Sequence, residues 1–182
     1  MFKKAKNVND SITIIKKRII PSYKLYDVEL TKDNLPAKMF LFWINKFYME
    51  LIPGWNASVY FTYAYDDPDP EHKKNIRYEC IDKWTSAITE FFDSDRVVNF
   101  AFNLSRDYSY IDNNEDLFFE IGQTAFHEVM HVVLGDLDKT SKNKSKNNQT
   151  VKEVHVVIVN LENNVFPYIF ESCRDEINRL IK

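Results

Sequence analysis

Three residues within five positions can do chemistry together: His127, Glu128 and His131, in the run His127-Glu128-Val129-Met130-His131. The run sits inside Glu115 to Leu134, which has no Pro and one Gly and reads as a helix. On a helix, residues four apart lie about 40° apart around the axis, so both imidazoles project from one side and can reach a single metal ion. Glu128 stands about 60° round from His131 and about 100° from His127. That places a carboxylate where a general base reaches a metal-activated water without becoming a ligand. Zinc is the expected metal. The alternative is a buried helix whose histidines are satisfied by ordinary hydrogen bonds. Phe118, Ile121, Ala125, Val129 and Val132 make one apolar face at helical spacing, and Phe126, Met130 and Val133 widen it. Two His and one Glu on what remains of a buried helix need a strong partner, because unpaired buried polar groups are costly.

A catalytic zinc needs three protein ligands and one open position. The pattern H-E-x-x-H-x-x-G-x-x-H would put a third His at position 137, but that residue is Leu137, and Gly135 comes one place late. Two candidates follow at the start of the next predicted helix. Glu153 is favoured as third ligand and His155 is its rival, the two lying on opposite flanks of a Val154/Val157/Ile158 stripe. Glu162 is a distant third candidate, expected rather at the surface.

The elements that must position these groups can be read in order. Residues 1–35 are basic and mixed, a peripheral segment in which Ile12 to Ile20 suggests a short strand or helix broken by Lys16-Lys17-Arg18. Pro36 to Leu51 reads as a helix with Met39, Phe40, Trp43, Ile44 and Phe47 on its core face, stopped by Pro53-Gly54. Trp55 to Tyr65, Ile76 to Ile81, Ser86 to Phe92 and Val97 to Leu104 read as strands, expected to pair antiparallel. Asp66-Asp67-Pro68-Asp69-Pro70 lacks the Gly and terminal Glu of a calcium loop and reads as an ordinary turn. Gly135 is the expected C′ residue of the His helix. Residues 136–150 are polar and low in complexity, a flexible loop. Val151 onwards reads as a helix to Pro167, and a last helix runs from about Tyr168 to Leu180.

The strands-then-helix order and His127-Glu128-Val129-Met130-His131 resemble the zincin metallopeptidases, and the continuation through Lys152-Glu153-Val154-His155 is similar to small phage-encoded zinc metallopeptidases. The resemblance covers roughly residues 55–166. It implies an α+β fold, a minimal zincin-like domain in which a small antiparallel sheet packs on the active-site helix with further helices around it. It also implies a gluzincin-type site, with a Glu of the following helix (Glu153 here) completing the set His127 and His131. The activity implied is hydrolysis of a peptide or protein substrate, with Glu128 as catalytic base. The substrate would lie extended along an edge strand, for which Val97 to Leu104 is the candidate. An oxyanion donor would be His155, if unused as ligand, or a nearby Tyr. The competing expectation is a zincin-fold protein with structural zinc, weak or inactive as an enzyme, that serves binding or assembly.

Composition bounds these readings. The 182 residues suit one domain with a proper core. A net charge of −3, with both signs dispersed, gives no footprint for nucleic acid and disfavours a DNA-associated peptidase. Cys80 and Cys173 are far apart in no metal-type spacing and are expected as reduced thiols of an intracellular, cytoplasmic protein, with a single disulfide as the lesser alternative. Lys3, Lys4 and Lys6 precede a polar stretch rather than a signal sequence, and no apolar run is long enough for a membrane span.

Overall fold

The computed structural model describes residues 34–72, 80–135 and 149–181. The expected segment at 12–20, most of the expected strand at 76–81 and the expected loop through 148 lie outside the described residues. Ile81 itself is buried but belongs to no strand. The elements, numbered in chain order, are α1 Leu35–Leu51, β1 Asn56–Thr62, β2 Ala87–Phe92, β3 Val97–Asn103, α2 Asn114–Val133, α3 Gln149–Asn164, α4 Phe166–Ser172 and α5 Arg174–Ile181. Helix and strand are mixed, with one small sheet, in keeping with an α+β fold. Among the described residues no helix is long and apolar enough to cross a membrane.

α1 begins with Pro in its first turn, where the missing N–H costs nothing. Its apolar stripe forms the centre of the molecule: Phe40, Trp43, Ile44 and Phe47 are almost wholly buried. The Trp43 indole N–H donates to the Phe118 carbonyl of α2 at 3.0 Å, which satisfies the one polar atom of that buried ring. Gly122 lets the two helices meet. A Cβ there would stand 2.5–2.7 Å from the rings of Phe166 and Trp43.

The sheet departs from the expected antiparallel arrangement. Its order is β1-β3-β2; β1 pairs with β3 in parallel, and only β2 and β3 pair antiparallel. β2 and β3 form a hairpin closed by residues 93–96, in which Arg96 takes a left-handed φ of 48°. β3 stands between β1 and β2, so the two strands that follow each other in sequence are not neighbours in the sheet. Val97 to Leu104 is therefore not an edge. β3 is central, and β2 stands at one end of the sheet.

Register explains which side is buried. Ala57, Val59 and Phe61 align with Val98, Phe100 and Phe102, and these with Phe91, Thr89 and Ala87. That face packs on α1 and α2, and Thr89 is its one polar residue. The other face carries a smaller cluster of Tyr60, Ala64, Ile81 and Ala101 with Ile88 against it.

The chain just after β1 is tied down by Asp67. Its buried carboxylate accepts from the Asp69 N–H and His72 Nδ1, each at 2.9 Å, and from the Ser105 hydroxyl, while the His72 ring stacks on Tyr63. Burial alone would raise the Asp67 carboxyl, but the Ser105, Asp69 and His72 hydrogen bonds hold it below the ordinary aspartate value. A depressed folded value means stability that is present above the ordinary value of 3.8 and lost as pH falls through the folded one. Asp67→Ala is accordingly expected to lower the melting temperature by roughly 5 °C at neutral pH. The gap between variant and wild type should close in thermal melts run from pH 5 down to pH 2. A gap independent of pH would show that the carboxylate is not the stabilising group.

Candidate metal centre

α2 carries the site and is well anchored at its start. The Asn113 side chain caps it by accepting from the Asp116 N–H at 2.9 Å, and Glu115 and Asp116 place negative charge at the positive end of the helix. Phe118, Ile121, Ala125, Phe126, Val129, Met130 and Val132 are buried as the periodicity predicts, whereas Val133 is exposed. The helix ends at Val133 with Leu134 as its cap. Gly135 stands at C′ but takes no positive φ, so a left-handed turn is not its role. It is small because Phe91 of β2 crosses it: a Cβ would lie 2.7 Å from the ring.

On this helix His127 and His131 are half-buried and adjacent, ring centroids 5.0 Å apart. His155 of α3 joins them, 4.9 Å from His127 and 5.9 Å from His131 by centroid. One nitrogen from each of the three lies within 4.8 Å of the other two. Nitrogens around a tetrahedral zinc stand roughly 3.4 Å apart, so this donor set is at most somewhat wider than one ion requires. Imidazole nitrogen is a good zinc donor, and three of them leave a fourth position open.

Glu153 is not part of this cluster. It is exposed, as are His155, Val156 and Val157, and the line of α3 that packs on the core runs through Val154, Ile158 and Leu161. Four β-branched residues in a row, Val156 to Val159, leave the phase of the helix ambiguous in sequence. The structure turns α3 so that His155 and Ile158 face α2 while Glu153 shares its side with Val157.

Glu162 is also placed differently from the surface position expected. Two turns beyond His155, it returns to the same face and accepts from or shares a proton with His127 Nδ1 at 2.7 Å. Burial would push the His127 imidazole down, but this hydrogen bond and the charges of Glu128 and Glu162 raise it above its ordinary value. A carboxylate on Nδ1 fixes the ring and leaves Nε2 as the nitrogen available to a metal. Removing that partner is expected to weaken zinc binding about 10–100-fold, so Glu162→Ala should show this loss in a competitive chelator titration. Unchanged affinity would mean that Glu162 does not orient His127. The seven-residue spacing from His155 was the available signal for Glu162.

Glu128 lies between helix and sheet and is buried. Its Oε2 accepts from the Thr89 hydroxyl at 2.6 Å, and the same hydroxyl is 3.1 Å from the Glu128 carbonyl. Burial raises the carboxyl above its ordinary value, against the Thr89 hydrogen bond and the His127 charge, and Glu162 adds to the rise. Such a raised carboxyl is a stronger base when ionised. Thr89 carried no signal in the sequence, since its importance depends on strand register. Comparison with family models, with curated proteins and with solved structures returned no match.

Proposed function

We propose that the chain is a zinc-dependent metallopeptidase of zincin type. The observation that carries this reading is the convergence of His127, His131 and His155 beside a buried Glu128 that is not among the clustered donors. The three histidines would hold the ion, with Glu162 orienting His127. Zinc bound there would acidify a water molecule and polarise the scissile carbonyl. Glu128 would take the water's proton and pass it to the leaving amine. An extended peptide would pair with β2, which has no partner on its outer side among the described residues and runs beside α2. That Glu153 is not among the clustered donors of the described residues supports an open site over a closed four-ligand one.

The test uses the full chain with one equivalent of zinc and denatured casein as a mixed substrate. Hydrolysis that stops on chelation and returns with zinc is the expected result. Bound zinc without hydrolysis of casein or a peptide library would favour the binding-protein reading.

A further inference from the structure

We propose that Thr89 is a positioning residue for the general base, fixing Glu128 relative to the strand on which a peptide would pair. The proposal rests on the peptidase reading above. Its first support is placement. Thr89 sits at the middle of β2, opposite Phe100, on the face where Ala87 and Phe91 of its own strand pack into the apolar core. At such a position a β-branched apolar residue would serve packing and strand propensity equally well, and Val has nearly the shape of Thr. The hydroxyl is the difference, and it lies against the Glu128 carboxylate.

The second support is geometry. An O–H···O distance of 2.6 Å is that of a charge-assisted hydrogen bond, and the donor has a single proton to give. The Glu128 carbonyl at 3.1 Å is the weaker competitor. The proton therefore goes to Oε2, which fixes the carboxylate plane and leaves Oε1 to accept a proton from water. A base on one element and a bound peptide on another are held in register by this one bond, and small misplacements of reacting groups are costly in rate.

Two readouts test it. The first needs no activity: a double-mutant cycle of Thr89→Val and Glu128→Ala on unfolding of the zinc-loaded chain. The bond predicts that the double variant's effect on the unfolding constant falls short of the product of the single effects by about tenfold. Multiplicative effects would overturn the proposal. The second is casein hydrolysis. Thr89→Val should retain its zinc and its KM and lose kcat about ten- to a hundredfold, with Thr89→Ser restoring most of the loss. A Thr89→Val variant as fast as an active wild type overturns the role of Thr89 alone. A zinc-loaded wild type that hydrolyses nothing overturns the peptidase reading and this role with it.

Discussion

Glu128→Gln retains zinc and fold and loses peptide hydrolysis by about a hundredfold or more, the contribution of a positioned general base. The substitution is chosen for what it keeps. Gln has the shape of Glu, and its amide oxygen can still accept the Thr89 hydroxyl that holds Oε2 at 2.6 Å. It removes the charge and the capacity to take a proton. Zinc should stay because Glu128 is not one of the three donors that lie within 4.8 Å of one another. Its angular offset on α2, about 100° from His127, gives the same answer. Side-by-side zinc analysis, circular dichroism and casein hydrolysis of variant and wild type check the prediction. Hydrolysis at the wild-type rate would remove Glu128 from the mechanism whatever the zinc does, and loss of zinc would make it a ligand.

His155→Ala, by contrast, loses the zinc. It removes the donor that α3 contributes to the cluster among the described residues, leaving the pair on α2. Two imidazoles rarely hold zinc alone, so affinity should fall by more than the roughly hundredfold that loss of a ligand's hydrogen-bond partner can cause. Glu153→Ala, at a residue outside the donor cluster, should bind within about twofold of wild type. Competitive titration against a chromophoric chelator measures both variants on one scale. The reverse ranking would return the third-ligand role to Glu153, as the sequence pattern favoured.

What the sequence made legible was local. The pairing of His127 with His131, the standing of Glu128 beside them and the apolar face of α2 all follow from helical spacing within a few turns. The Pro36 start of α1 and the β-formers of Val97 to Leu104 are of the same kind. What it hid was relational. Short strands of alternating residues carry no mark of direction, so the parallel pairing of β1 with β3 and the central place of β3 could not be read from them. The facing of α3 was obscured by Val156, Val157 and Val159, which spread apolar side chains around the helix and pointed to a stripe that the structure exposes at Val157. The break at Cys173 that divides the expected last helix into α4 and α5 has no Gly or Pro to announce it. Glu162 and Thr89 matter only because α3 and β2 bring them to His127 and Glu128, across sequence separations of 35 and 39 residues.

The central claim is that His127, His131 and His155 bind one zinc ion, and a crystal of the zinc-loaded wild-type protein measured on both sides of the zinc absorption edge tests it most directly. The expected result is a single strong anomalous peak bonded to one nitrogen of each of the three histidines at about 2.0–2.1 Å, with Glu162 on Nδ1 of His127 and Glu153 in solvent. A peak ligated by Glu153 in place of His155, or a zinc-loaded crystal with no peak between α2 and α3, would contradict it.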